Sequence, residues 1–353
     1  MTIKIGDVSQ AAGVSIKTVS RVLNNEKYVS KATRERVEAA VAKLGYHPNS
    51  AARALAGDRS FQIALIYDNP SPYNAQNVQA GVKTRCIEGG YRMISQPSDA
   101  DSTTLLDELC GLIDQAMLDG IILTPPFTDN AAIRAELARR DISYVTLSPA
   151  MLDHAVAAAF IDNVKAAEDM TTYLVSLGHR RIGFVEGDTR YAASAQRLAG
   201  YRKALDQAGL DYDATLVRPG QFDFESGSAA AADLLALKNP PTAIFASNDE
   251  MAAGVLATAH RLRVSVPSEL SVVGFDDTDL AQVVWPPLTT VRQPVRALGY
   301  AAADLLFQLP DKVEQRLLPH ELIVRDSTAA NDVPIGHCGQ AVSEKIKDRK
   351  PFP

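Results

Sequence analysis

Cysteine is scarce in this chain of 353 residues. Cys86, Cys110 and Cys338 form an odd set with no C-x-x-C spacing, which supports neither a disulfide framework nor a zinc knot and leaves buried, inert thiols. Long apolar runs are missing as well. Stretches such as AVAAAF are far too short to cross a bilayer, and the opening MTIKIGDVSQ lacks the apolar segment of an export signal. A soluble, unexported protein of the cytoplasm, with no membrane partner, is the expectation. Glycine loops that cradle phosphate are missing too: no G-x-x-x-x-G-K-[ST] occurs, and no G-x-G-x-x-G follows a strand pattern. That removes the main support for a kinase or a dehydrogenase. What is there is 46% hydrophobic content, over a length sufficient for two or three compact domains.

Negative charge dominates, at −6 for the whole chain, but it is unevenly spread. Residues 1–60 carry ten Lys or Arg against five Asp or Glu, a balance of +5, while the remainder carries 26 against 37, a balance of −11. A basic headpiece on an acidic body can approach phosphates while the body stays off a nucleic acid.

Three short helical patterns follow one another in this headpiece, assigned to residues 1–47. Ile5, Val8, Ala11 and Ala12 repeat at helical spacing, and Gly13 ends the run. Ser15 is placed to cap a second helix, Ile16 to Leu23, by accepting a backbone N–H bond near Thr18, with Gly13 permitting the tight turn. Ser30 announces a third helix, whose Val37, Ala40, Val41 and Leu44 share one face and which stops at Gly45. This is the spacing of a helix-turn-helix with a third helix to close its core. The second helix turns Val19, Val22 and Leu23 inward and presents Lys17, Thr18, Ser20 and Arg21. In a major groove, its Lys and Arg reach guanine O6 and N7. Charges on an isolated helix more often only solvate its outer face; the whole constellation outweighs that reading here.

The stretch AAGVSIKTVSRVLN, followed by VSKATRERVEAAVAKLGYHPNSAARALAG, resembles the headpiece and hinge of the LacI/GalR repressor family. The resemblance implies DNA contacts from Ser15, Ile16, Lys17, Thr18, Ser20, Arg21, Asn24, Tyr28, Ser30 and Thr33, and from Asn49, Ala52 and Leu55 in a linker over 48–60. Ile16 and Lys17 stand at positions that vary among members and read bases. In that family the hinge becomes a short helix only when the dimer sits on its operator, and paired hinge helices enter the minor groove. The residues agree. Pro48 can start a helix, the alanines at 51, 52, 54 and 56 with Leu55 favour one, and Gly57 ends it. So short a helix is too costly to nucleate alone, which makes it a natural switch. Leu55 matches the family's minor-groove wedge.

From Phe61 on, short apolar runs alternate with amphipathic patterns: FQIALIY, 75–88, YRMIS, 103–117, GIILT, SYVTL, AFID, 164–177, RRIGFVEG, 193–208, TAIFAS, 250–262 and LSVVGFDD. This is the rhythm of parallel β-α units, with enough strands for two sheets. The expected fold is an all-α helix-turn-helix headpiece plus an α/β body of two doubly wound parallel-sheet lobes. One lobe spans about 61–160 and 292–318, the other about 161–290 and 319–330, and three crossings between them make a hinge. Residues 331–353 have no heptad repeat and read as a polar, disordered tail. Polar residues stand at the C-terminal ends of strands, where open parallel sheets bind ligands: Asp68, Asn69, Thr124, Ser148, Asn248, Asp249, Asp276 and Asp277. Any one could simply cap a helix, whereas several ringing one crevice make a ligand site.

LGHRRIGFVEG, SAQRLAGYRKAL, IFASNDEMAAGVL, VPSELSVVGFDDT and PPLTTVRQP are similar to the periplasmic sugar-binding fold that this family uses as its sensor. The resemblance implies that Arg197 pairs with ligand hydroxyls or a carboxylate, Asn248 and Asp276 bond ligand polar groups, Phe222 stacks on the ligand ring, and Gln293 closes the site beside the crossover. Asp68 and Tyr73 are the candidates from the loop DNPSPYNAQN, joined by Thr124 and Ser148 from strand ends; Asp249 and Asp277 serve caps or packing. Rings with paired acceptors suit a carbohydrate, and a purine acting as co-repressor would also stack. The expectation is a homodimeric repressor on a pseudo-palindromic double-stranded DNA operator, controlled by a small metabolite and needing no cofactor or metal. A transport protein for sugars would share the body but carry an export signal and lack the basic headpiece. An enzyme would need an acid/base pair, and the adjacent Asp276 and Asp277 diverge. The DDTD cluster suits turns and ligand contact better than a cation.

Overall fold

The computed structural model describes residues 3–23, 28–46, 59–309 and 311–331, so Asn24, Asn49, Ala52 and Leu55, Cys338 and nearly all of the tail lie outside the described residues. The chain divides into two units, Met1–Phe61 and Gln62–Pro353.

The first unit is built on α1 (Ile5–Ala12), α2 (Ile16–Leu23) and α3 (Lys31–Leu44). Local chemistry fixes the ends of each. The Asp7 carboxylate accepts the Lys4 N–H at 2.7 Å, and Gly13 closes α1 in the left-handed conformation, φ 63°. Ser15 accepts from the Thr18 N–H at 3.1 Å and Ser30 from the Thr33 N–H at 3.3 Å. Caps of this kind are worth about 1 kcal/mol each. Val8, Val19 and Val37, one from each helix, are wholly buried, and Ala12, Val22, Ala40 and Tyr46 complete the core. A core this small gives modest stability, so the caps are a considerable fraction of it.

The second unit holds two six-stranded sheets. The first is wholly parallel, in the order β11-β5-β4-β3-β1-β2. It is made of β1 (Gln62–Tyr67), β2 (Arg92–Pro97), β3 (Gly120–Leu123), β4 (Tyr144–Leu147), β5 (Ala157–Phe160) and β11 (Gln315–Leu317). The second runs β12-β10-β9-β8-β6-β7, from β6 (Ile182–Val185), β7 (Val217–Arg218), β8 (Ala243–Ala246), β9 (Ser271–Asp276), β10 (Thr289–Arg292) and β12 (Glu321–Ile323). Only β12 is antiparallel, against β10. The chain therefore passes between the sheets three times: after β5, after β10, and between β11 and β12.

Helices cover both faces of each sheet, and this is why the strands are near-continuous apolar runs. On β1, Ile63 and Leu65 join the core formed with α4 (Pro72–Gly89) and α12 (Val295–Gln308). The alternate residues Ala64 and Ile66 join α5 (Leu105–Ala116) and α6 (Ala131–Arg139). The second sheet repeats the arrangement. Phe184, Phe245 and Phe275 lie with α7 (Asn163–Ser176) and α8 (Ala192–Gln207), while Val185, Ile244 and Val272 lie with α9 (Phe224–Leu235) and α10 (Asp249–Arg261). A short α11 (Leu280–Val283) precedes β10. Helices α4 and α12 approach through glycine: a Cβ on Gly81 would meet the Arg296 carbonyl oxygen at 1.9 Å, and one on Gly299 the Val78 carbonyl oxygen at 2.3 Å.

Several elements differ from the expectation. Helix α4 starts at Pro72, earlier than the periodicity indicates, because Ser71 caps it by accepting the Asn74 N–H at 3.2 Å and Pro72 supplies a helix-compatible φ at the first position. Helices α6, α9 and α11 and the short strand β7 were not anticipated. In α9, FESGSAAAADLL is largely small residues and offers no broad apolar stripe; it is held because Gly227 lets it close on the backbone of Met251 in α10.

Candidate functional site

Two groups of candidate residues can be built from these elements. On α2, Val19 and Val22 are buried and Leu23 half-buried, whereas Lys17 and Arg21 are exposed and Thr18 and Ser20 half-buried. The inward and outward faces are those that the helical spacing requires. Ile16 is 52% and Tyr28 97% exposed, so both apolar surfaces are open to a partner. Ser15 lies 2.9 Å from the Thr18 hydroxyl and Ser30 donates to the Thr33 hydroxyl at 2.9 Å, which places four candidate hydroxyls at the N-termini of α2 and α3. Helix N-termini favour phosphate through their open N–H groups and dipole.

In the second unit a cleft of about 870 Å³, its mouth included, is lined from the strand ends of both sheets. Eight residues singled out from the sequence line it: Asn69, Thr124, Ser148, Arg197, Phe222, Asn248, Asp276 and Gln293. Asp68 and Tyr73 do not. The Asp68 carboxylate is engaged elsewhere, accepting the Ala100 N–H at 3.1 Å and lying 3.8 Å from the Arg190 guanidinium of the other lobe. Tyr73 sits in the first turn of α4 rather than on a loop, and there Asn74 and Ala75 supply the lining. Sequence reasoning overlooked Tyr67, Ser71, Asn74, Asn163 and Tyr191, which also line the cleft. Tyr67 ends β1 and Asn163 begins a helix just after β5, positions of the same type as the residues singled out.

Arg197, on α8, is 5% exposed and organises the floor. Its Nε donates to Asn163 Oδ1 at 3.1 Å, its Nη1 to the Ser247 carbonyl, and its Nη2 lies 3.8 Å from Asp276 Oδ1. The guanidinium carbon sits 3.6 Å from the centre of the Phe275 ring, a cation–π contact in a desolvated place. Burial lowers the Arg197 pKa to about 10, opposed by Asp276 and Asp249, so it stays protonated at neutral pH. Burial pushes the Asp276 carboxyl up, opposed by Arg197 and by the Gln293 amide that donates to it.

Part of the backbone strain in the second unit lies at the same place. Ser148, Phe222 and Asp276 have φ of 44°, 61° and 113°. Such conformations cost about 1–3 kcal/mol each and persist where surrounding structure over-determines them. At Phe222 the determinant is Asn248, whose Nδ2 donates to the Phe222 carbonyl at 2.8 Å while its Oδ1 caps α10 by accepting the Met251 N–H at 3.0 Å. The Phe222 ring then meets Tyr191 edge-on, centroids 5.6 Å apart.

Several side-chain contacts tie one lobe to the other around the cleft. The Ser71 hydroxyl donates to Glu250, the Tyr191 hydroxyl donates to the Asp68 carbonyl at 2.6 Å, and Arg190 donates to Asp101 at 2.9 Å. Burial, with the charge of Asp276, pushes the Glu250 carboxyl up to about 7. Asp249 and Asp277 stay out of the cleft. Asp249 accepts from the Thr278 N–H at 2.7 Å and the Thr290 hydroxyl at 2.6 Å, and Asp277 pairs with Arg292 at 2.7 Å. Among the described residues no group of three His, Cys, Asp or Glu could hold a metal ion, and no helix is long and apolar enough to cross a membrane.

Two family models match the chain: bacterial regulatory proteins of the lacI family over residues 4–49, and a periplasmic binding protein-like domain over residues 171–328. The HTH-type transcriptional regulator DegA of Bacillus subtilis (strain 168) is 35% identical over 336 residues, 93% of this chain and 99% of that protein. Among solved structures, the lac repressor dimer bound to operator and the anti-inducer ONPF shares 30% identity at a TM-score of 0.73, over 94% of this chain and 100% of that one. The transcriptional regulator CelR–cellobiose complex shares 32% identity at a TM-score of 0.71, over 92% and 99%.

Proposed function

The chain belongs to the lacI family of bacterial regulatory proteins, as a DNA-binding transcriptional repressor and not an enzyme, and from that premise we propose that a small carbohydrate bound between its lobes sets its hold on an operator. The observation that carries this reading is the cleft itself. Both sheets contribute strand-end polar groups to it, and Phe222 and Tyr191 supply ring faces and edges beside the Arg197–Asp276 pair. Aromatic surface beside fixed donors and acceptors is what a sugar ring requires. The cellobiose held by the CelR neighbour supports the same effector class.

In this reading residues 1–47 read DNA, 48–60 link, and 61–330 sense. The protein acts in the cytoplasm as a homodimer on a pseudo-palindromic site, Lys17 and Arg21 reaching base edges and the hydroxyls of Ser15 and Ser30 facing phosphates. The lac repressor neighbour, a dimer on its operator, supports that arrangement. Ligand works only by binding one lobe angle better than another, since equal affinity for both shifts nothing. The inter-lobe contacts around the cleft are the groups such a ligand strengthens or displaces.

The test is thermal stability of the purified protein over a panel of sugars, nucleosides and purines, where a ligand at 100 times its Kd adds about 2.7 kcal/mol. A stabilising sugar that also changes operator affinity supports the reading. A purine doing so instead would reassign the effector class, and a panel without any response in either assay would sink the sensor role.

A further inference from the structure

Electrically, the cleft is already balanced. Among the described residues that line it, Arg197 is the one cation and Asp276 the one carboxylate. The Arg197 charge is committed on every side: to Asn163, to the Ser247 carbonyl, to Asp276 and to the face of Phe275. An anionic ligand would have to draw Arg197 away from Asp276, leaving a carboxylate buried and unpaired, which costs several kcal/mol. On α10 nearby, burial pushes the Asp249 and Glu250 carboxyls up, and neither offers an anion a positive partner.

Among the described residues, the arginines nearest the cleft are already paired. Arg190, near the mouth, is held by Asp188 at 2.7 Å and Asp101 at 2.9 Å, and Arg292, beyond Gln293, by Asp277 at 2.7 Å and Glu321 at 3.0 Å. The N-terminus of α10 is capped by Asn248 and carries acids in its first turn, so its dipole is answered within the protein. The remaining polar lining is of the neutral kind, carboxamides and hydroxyls such as Asn69, Asn74, Ser71 and Thr124, groups that exchange hydrogen bonds with ligand hydroxyls without a net charge.

We propose that the cleft selects an uncharged, hydroxyl-bearing ligand, a free sugar or a nucleoside, and rejects its phosphorylated or carboxylated counterpart. This rests on the sensor reading above and narrows it: the signal is a metabolite before phosphorylation or after dephosphorylation.

The experiment uses the full-length protein in two arms. In the first, calorimetry compares D-ribose with ribose 5-phosphate, D-glucose with glucose 6-phosphate, and cytidine with its monophosphate. The phosphate ester of any binding compound is expected to bind at least about a hundredfold more weakly, as like-charge burial at several kcal/mol requires. An ester that binds as well as its parent, or better, overturns the proposal. In the second arm, a small-molecule extract of bacterial cells is split on an anion-exchange resin and each fraction is tested for thermal stabilisation. Stabilising activity in the unbound fraction supports the proposal. Activity retained on the resin overturns it while leaving the sensor reading intact, and activity in neither fraction overturns the sensor reading together with it. With a pair in hand, Asp276→Asn should narrow the discrimination against the ester at least tenfold. Unchanged discrimination would remove the charge balance as its cause.

Discussion

In the headpiece, the candidate base-reading side chains Lys17 and Arg21 stand one turn apart on a single helix and face water. In the cleft, Arg197 and Asp276 are 5% and 7% exposed, come from different helix and strand units, and hold one another in place. The first arrangement separates recognition from folding, because the residues that read are not the residues that pack. The second merges them: the groups that would meet a ligand are also partners in the buried network of their own lobe. A surface reader can change its specificity cheaply, whereas a buried one must be re-solved together with its neighbours.

Arg197→Ala tests the merged case most severely. It strands Asp276 and leaves Asn163 Oδ1 without its donor, and breaking a buried pair costs about 3–5 kcal/mol. The variant should lose ligand response entirely and its main thermal transition should fall, while the isolated operator-binding step persists. Full stability with lost response would show that the cleft pair is not structural after all.

Glu250 gives the next effect, through pH. Its carboxyl lies at about 7 in the folded protein against an ordinary 4.5, so the folded state holds the proton more tightly than the unfolded one. The contribution is fully present below about pH 4.5 and is lost as pH rises through about 7, a decline on the order of 3 kcal/mol. Glu250→Gln, which keeps an acceptor for Ser71, should flatten that part of the decline in denaturant midpoints taken from pH 5 to 8. An identical slope in both proteins would assign the titration elsewhere.

Arg21→Ala is the smallest change and the cleanest contrast. Operator binding should weaken by about 1–3 kcal/mol in a titration, with ligand affinity and the stability of the second unit unmoved. If ligand affinity fell as well, the separation between the two regions would not hold.

Legibility in the sequence follows the same division. Helices α1 and α2 fall on the residues that periodicity indicates, because their ends are set within a few residues by Gly13 and Ser15. The strand rhythm also locates Thr124, Ser148, Asn248 and Asp276 at the C-terminal ends of strands, since a parallel strand's C-terminal end is a local property. Asp68 and Tyr73 failed to reach the cleft for a reason that lies across space. Where the first lobe's loop points depends on Ser71 capping α4 and on Tyr191, from the other lobe, holding the Asp68 carbonyl. Tyr191 itself carries no local mark, being one aromatic among eleven tyrosines until the fold sets it against Phe222. Helix α9 was hidden because its packing depends on glycine, which leaves no stripe to read.

The triple passage of the chain between the sheets, after β5, after β10 and between β11 and β12, also limits what the sensor can say. Covalent backbone does not stretch, so each tie removes ways for one lobe to slide or turn against the other. With three ties, bending is the soft coordinate that survives. The output is then close to a single number. If effectors act through that bend, they differ in where they stop it rather than in the path they take.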